Sequence, residues 1–253
     1  KQEIIRNFRD GVMRVIAIPG SGKTYSLVQR LVSLIQQGVP PEKILFVTFA
    51  NKAAREIQKR VAGQIHTVKN PEITTFNSLG MKILRENEDI AGKVTLATKI
   101  KVTELILELL SDVRTEEIMG CSYENVLGGH GIASKLRSAI SDINKYGKDL
   151  YLAKQRKKDS DMDCAGIFRF YDVYTEEAEK RNLITFDEQI SKAVELLKCN
   201  PDIKKHYGTK WDYIMADEYQ DVSKTDAELL YMLADAGKGN LMCVGDMDQA
   251  IYA

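Results

Sequence analysis

The chain has 253 residues, 44% of them hydrophobic, which excludes a disordered polyelectrolyte and allows a substantial core in one large or two moderate domains. Its 36 basic and 36 acidic residues cancel, so bulk charge neither requires nor excludes nucleic acid, and any positive track has to be local. Cys121, Cys164, Cys199 and Cys243 stand singly and suit a reduced compartment as apolar filler, and His66, His130 and His206 are equally scattered, so no disulfide framework or metal cluster is expected. No signal peptide or long apolar run is evident, so the expectation is an intracellular protein without a membrane partner, cytoplasmic or nucleoid-associated in a bacterium. A first residue other than methionine, and a last one directly after Tyr252, are read as boundaries within a longer polypeptide.

Val12 to Ile18 is predicted as a strand and Lys23 to Gln37 as a helix, joined by Ala17-Ile-Pro-Gly20-Ser21-Gly22-Lys23-Thr24. Strand, glycine-rich turn and helix are the context in which a Walker A sequence cradles a nucleoside triphosphate, ATP or GTP. Gly20 and Gly22 let the backbone turn tightly, so that amide groups and the first helical turn face the β-phosphate. Lys23 supplies a point charge to the β- and γ-phosphates, and Thr24 a hydroxyl to Mg²⁺. Ala17 stands where the motif formula has glycine, six residues before the lysine, and is small enough for the same steric task.

Beyond the loop, strands at Ile44 to Thr48 and Glu72 to Phe76 alternate with helices at Asn51 to Val61 and Ser78 to Asn87. Such an order implies a parallel sheet covered on both faces, with ligands at the carboxyl ends of its strands. From about residue 93 to about 181 the pattern becomes helical, with candidates at Val102 to Leu110, Ile132 to Tyr146 and Ile167 to Lys180. Gly128, Gly129 and Gly131 mark a loop there, and residues 154–163 a charged connector whose Arg156, Lys157 and Lys158 either touch phosphates or belong to a solvated loop.

The sheet pattern resumes with a strand at Tyr213 to Ala216, a helix at Lys224 to Asp235 and a strand at Leu241 to Val244. Asp217 and Glu218 follow the first of these strands, where one carboxylate can hold Mg²⁺ and a second can activate an attacking water. Asp246 and Gln249 follow the second. Gln249 can donate and accept at once, which suits a residue that senses a γ-phosphate or its water while bonded to a neighbouring acid.

Five segments, Gly20-Ser-Gly-Lys-Thr24, Thr48-Phe-Ala-Asn-Lys-Ala-Ala54, Thr75-Phe-Asn-Ser-Leu79, Asp217-Glu-Tyr-Gln-Asp221 and Val244-Gly-Asp-Met-Asp-Gln-Ala-Ile-Tyr252, resemble, in order and spacing, the UvrD/Rep/PcrA family of superfamily 1 DNA helicases. The resemblance implies an α/β chain: a RecA-like P-loop NTPase parallel sheet in two parts, 1–92 and 182–253, with an inserted, mostly helical accessory domain at 93–181. It implies ATP and Mg²⁺ as cofactors, single-stranded DNA as partner, and a second RecA-like domain of the parent chain across the nucleotide, with arginines that face the γ-phosphate. Protein partners are not indicated. The activity implied is that of an ATP-hydrolysing helicase in DNA repair or replication, of which the chain holds half of the composite site.

By the same resemblance Gly20, Ser21, Gly22, Lys23, Thr24, Asp217 and Gln249 bind the nucleotide, Thr24 and Asp217 hold the metal, and Lys23, Glu218 and Gln249 serve the hydrolysis. Gln2, twenty-one residues before Lys23, matches the adenine-recognising glutamine, against the alternative of a frayed terminus. Thr48, Phe49, Asn51, Asn77 and Tyr252 match positions that meet DNA, Phe49 and Tyr252 by stacking on bases. Core packing is the competing use of Phe49. Lys52, Arg55 and Lys59 share one helical face, as a phosphate track or as an ordinary solvated surface.

Several positions depart from the family pattern. Tyr25 stands where an arginine commonly follows the threonine, Asn77 replaces a histidine, Asp226 a glutamine and Met247 a second acid. These bear on rate and coupling and leave Lys23, Thr24, Asp217, Glu218 and Gln249 in place. A regulatory nucleotide switch or scaffold without motor activity is the alternative function. A small-molecule kinase would share the phosphate loop but leave Phe49 to Asn51 and Gln220-Asp221 unexplained.

Overall fold

A computed structural model of the chain describes residues 2–18, 20–65, 67–111, 132–156, 164–186 and 188–246. Gln249, Tyr252 and Met247, together with Lys157 and Lys158, lie outside the described residues. The chain divides into two compact units, Lys1–Glu86 with Ile190–Ala253, and Asn87–Gln189.

The first unit is built on a five-stranded parallel sheet, in the order β1 (Val12–Ile16), β7 (Leu241–Gly245), β6 (Tyr213–Ala216), β2 (Ile44–Thr48) and β3 (Glu72–Thr75). In β2 and β7 every residue is buried, which is why both read as nearly continuous apolar runs, with Thr48 the polar residue closing β2, whereas the edge strand β1 alternates exposed Val12, Arg14 and Ile16 with half-buried Met13 and Val15. The register sets Ile16 beside Gly245, Ala216 beside Cys243 and Val47 beside Ala216, so the strands reach their carboxyl ends together.

Helix α2 (Lys23–Gln36) buries Leu27, Val28, Leu31 and Leu34 in one core with Ala54, Ile57 and Val61 of α3 (Asn51–Ala62) and with Ile44, Phe46, Met215, Met242 and Val244 of the strands. Leu45, Ile214 and Leu241 alternate with those strand residues and so belong to the opposite face. Further helices of the unit are α1 (Gln2–Asn7), α4 (Phe76–Glu86), α9 (Glu188–Cys199), which enters it from Ile190 onward, α10 (Pro201–Lys210) and α11 (Lys224–Asp235). The buried Arg30 of α2 donates from Nη2 to the Arg9 carbonyl at 3.1 Å and lies over the Phe8 ring, tying the α1–β1 connection to α2. Burial lowers its pKa to about 10, which leaves it charged at neutral pH.

Two sequence expectations shift by a few residues. β1 stops at Ile16 rather than Ile18, although the Ala17 amide still bonds the Gly245 carbonyl at 3.1 Å. Phe76 opens α4 instead of closing β3, because the Thr75 hydroxyl accepts from the Ser78 amide at 3.3 Å and caps the helix with no intervening loop.

The second unit contains α5 (Glu88–Ala91), α6 (Lys99–Ser111), α7 (Ile132–Arg156) and α8 (Cys164–Lys180), with a short parallel pair of β4 (Thr95–Leu96) and β5 (Leu183–Ile184). Its core gathers Val102, Leu105, Ile106 and Leu110 with Leu136, Ile140, Phe170 and Tyr174. Gly147 interrupts α7 at φ 81, ψ 161, so the helical stretch expected to end at Tyr146 does end its regular run there. Among the described residues no helix is long and apolar enough to cross a membrane.

Candidate nucleotide site

The loop between β1 and α2 has the dihedrals its glycines allow. Gly20 and Gly22 sit at φ 72 and φ 82, in the left-handed region that side chains resist. At Gly20 space is open, so the dihedral alone calls for glycine; at Gly22 a Cβ would also lie 2.9 Å from Nε2 of Gln2. Gly22 is the N-cap of α2 without any side-chain cap, which leaves the positive end of a 14-residue helix facing the loop.

Lys23 donates from Nζ to the Ala17 carbonyl at 3.3 Å and pairs with Asp246 at 3.5 Å, both side chains being nearly buried. Thr24 donates from Oγ1 to Oδ2 of Asp217 at 2.6 Å. Gln2 donates from Nε2 to the Ser21 carbonyl at 3.1 Å, so the first turn of α1 rests on the phosphate loop. Tyr25, where the family pattern has arginine, is exposed.

Asp217 follows β6, donates its amide to the Val47 carbonyl at 3.0 Å and is 2% exposed. Burial pushes its carboxyl above the usual aspartate range, the neighbouring Glu218 adds to that, and the Thr24 hydroxyl and the charge of Lys23 pull against it. A buried carboxylate with a hydroxyl at 2.6 Å is a hard-oxygen pair of the kind that holds Mg²⁺, and the burial penalty on the anion is what a cation would relieve. Glu218 takes φ 55, an uncommon backbone for a non-glycine residue and often found at functional positions. Its Oε2 accepts from Nε2 of Gln220 at 2.8 Å, and Oε1 of Gln220 accepts from the Asp246 amide at 2.8 Å. Asp221 next door is also raised, by partial burial and then by the charge of Glu218.

The residues expected at DNA divide. Phe49 is 57% exposed beyond the end of β2, so core packing is not its use here, and Asn51 is exposed at the start of α3. Asn77 is half-buried in the first turn of α4, the helix that directly follows β3, the neighbour of β2. Thr48 is fully buried opposite Thr75, with no hydrogen-bond partner at Oγ1, so the structure does not bring it to the surface with the others. Lys52, Arg55 and Lys59 are exposed on the side of α3 away from Ala54, Ile57 and Val61. The Lys23–Asp246 pair and the Gln220 bridge had no sequence signal, since each joins strand ends distant in the chain.

A parallel sheet whose edge strand runs through a left-handed glycine loop into an uncapped helix, with a buried aspartate from a neighbouring strand on the loop's threonine, defines a RecA-like P-loop NTPase fold carrying helical insertions. The family model for the UvrD/REP helicase N-terminal domain matches residues 1–253, and the chain belongs to that family. It is 31% identical over 249 residues to the putative ATP-dependent DNA helicase YjcD of Bacillus subtilis, covering 96% of this chain and 31% of the relative. To the ATP-dependent DNA helicase PcrA of Staphylococcus aureus it is 30% identical, with 96% and 32% covered, and to PcrA of Leuconostoc citreum 29%, with 96% and 31% covered. The chain thus spans about a third of the length of these curated relatives.

Proposed function

We propose that this chain is the ATP-binding N-terminal portion of an ATP-dependent DNA helicase or translocase that acts on single-stranded DNA. The observation that carries the reading is the convergence of Lys23, Thr24, Asp217 and Asp246 from three strand ends onto one glycine loop. In this reading 1–92 and 182–253 form a RecA-like domain, 93–181 an inserted accessory domain, and a second RecA-like domain of the parent chain closes the site. The protein works inside the cell.

The loop amides and the N-terminus of α2 receive the β-phosphate, and Lys23 leaves Asp246 for the β- and γ-phosphate oxygens. Thr24 and Asp217 hold Mg²⁺, which when bound neutralises phosphate charge and fixes the geometry of the triphosphate. Gln2, held on Ser21, reads the adenine edge. Glu218 accepts the proton of the attacking water, and Gln249 senses the γ-phosphate. Phe49 and Tyr252 stack on bases while Asn51, Asn77 and Thr48 contact the strand, Thr48 after a rearrangement that frees its hydroxyl.

The test is ATP turnover by the full-length polypeptide that carries this sequence, with and without single-stranded DNA at one fixed salt concentration. A motor turns over faster when DNA is added. ATP binding with no DNA-dependent turnover would instead identify a nucleotide switch.

A further inference from the structure

Glu218 and Asp246 end separate strand connections, and one side chain joins them. Gln220 donates from Nε2 to the Glu218 carboxylate at 2.8 Å and accepts from the Asp246 backbone amide through Oε1 at 2.8 Å. A carboxylate offers acceptors alone and a backbone amide a donor alone, so the bridge needs a donor and an acceptor on one rigid plane. The Gln220 amide supplies both; glutamate would bring two acceptors, and lysine or arginine donors alone. The approach is also built into β7, because a Cβ at Gly245 would lie 2.9 Å from both the backbone nitrogen and the side-chain Oε1 of Gln220. Glu218 itself stands on left-handed backbone just before the 3₁₀ turn Tyr219–Asp221, where no strand or helix fixes the direction of its side chain.

We propose that Gln220 is the positioning residue of the hydrolytic carboxylate: its amide aims Glu218 and ties that aim to the end of β7. This rests on the assignment of Glu218 as the base for the attacking water. The contacts of the Gln220 side chain are with the Glu218 carboxylate and the Asp246 amide; in this assignment it acts through Glu218, so its loss lowers the rate of the chemical step and spares nucleotide binding. The bond to Asp246 extends the same control to the neighbourhood of Lys23, since Asp246 is also the partner of that lysine.

The experiment measures kcat and equilibrium ATP affinity, with single-stranded DNA present, for the full-length polypeptide as wild type, Gln220→Met, Gly245→Ala, Glu218→Gln and Glu218→Gln/Gln220→Met. Methionine keeps the length and removes both hydrogen bonds. Gln220→Met is expected to lower kcat about 10- to 100-fold, as supporting hydrogen bonds around reactive groups do, with ATP affinity within about twofold of wild type. Gly245→Ala, by pushing Gln220 aside, lowers kcat in the same direction. The double variant is no slower than Glu218→Gln alone, because residues acting as one unit are not additive. A wild-type kcat for Gln220→Met, a loss carried in ATP affinity, or a further full drop in the double variant overturns the proposal. Should Gln220→Met fail to fold, Gln220→Glu decides in its place, with the same loss expected and a normal kcat contradicting it. Unimpaired turnover by Glu218→Gln is a separate result, and it refutes the role of Glu218 rather than that of Gln220.

Discussion

Replacing Phe49 with alanine should cost DNA affinity and leave the fold almost untouched, whereas the same change at Phe46 should unsettle the fold. Phe46 is fully buried in the middle of β2, and Phe49 is 57% exposed just past its end. Truncating a buried phenylalanine costs about 3–5 kcal/mol, a large share of the stability of an ordinary domain. A surface aromatic with few contacts to lose stays within about 0.5 kcal/mol. If Phe49 stacks on a base, its removal takes away about 1–3 kcal/mol of binding, which is a 5- to 150-fold weaker Kd by the usual conversion of about 1.4 kcal/mol per tenfold. The assay pairs fluorescence anisotropy on a labelled oligothymidine, at one low salt concentration, with urea unfolding of the same preparations. An unchanged Kd for Phe49→Ala would refute the stacking role, and a stability loss of about 2 kcal/mol or more would refute the reading of Phe49 as a surface residue.

Lys23→Ala should weaken triphosphate binding severely in a titration and also destabilise the nucleotide-free protein in urea, by an amount near the low end of the about 3–5 kcal/mol for breaking a buried pair, because Asp246 stays buried. Adding Asp246→Asn to that variant should recover stability and not binding. Burial raises the carboxyl of Asp226 above its ordinary value, so the folded state holds that proton more tightly than the unfolded chain, and its contribution to stability declines as pH rises from about 4 through the folded-state pKa. Asp226→Asn, which keeps an acceptor for the Ser223 amide, should gain on wild type across that rise and lose its relative advantage on acidification to about pH 4, read from urea unfolding across a pH series. Residues 1–253 alone should bind ATP yet hydrolyse it far more slowly than the full-length polypeptide, since arginines from an opposing domain contribute on the order of 10³–10⁵ in rate in related phosphoryl-transfer systems. Equal DNA-stimulated rates, with the short form monomeric by sizing, would contradict this.

The parts of the fold legible in the sequence were those with a strong local pattern. β2, β6 and α11 fall on the expected residues, because buried parallel strands are apolar without interruption and α11 opens on a Ser223–Asp226 capping box. α9 carried a usable signal in Ile190, Ala193, Val194 and Leu197, at helical spacing with all four buried, that the sequence reading did not draw on. α1 is six residues long with none buried, and β4 and β5 are two residues each, too short for any period to show. The helical stretch read at 93–181 lies within the compact unit Asn87–Gln189, which also takes in α5 before it and β5 after it, elements too short to show amphipathic periodicity. In the candidate site, Lys23, Thr24, Asp217 and Glu218 stood out because loop and strand-end chemistry is local. The partnership of Lys23 with Asp246, the span of Gln220 and the burial of Thr48 depend on which strands become neighbours, and a single sequence does not encode that in any short window.

The most direct measurement of the central claim is a crystal structure of the protein with Mg²⁺ and a non-hydrolysable ATP analogue. The account predicts the β-phosphate in the Gly20–Thr24 loop, Mg²⁺ between Thr24 and Asp217, the adenine against Gln2, and Lys23 moved from Asp246 onto phosphate oxygens. A triphosphate bound elsewhere, or Lys23 still paired with Asp246 beside a bound nucleotide, would contradict it.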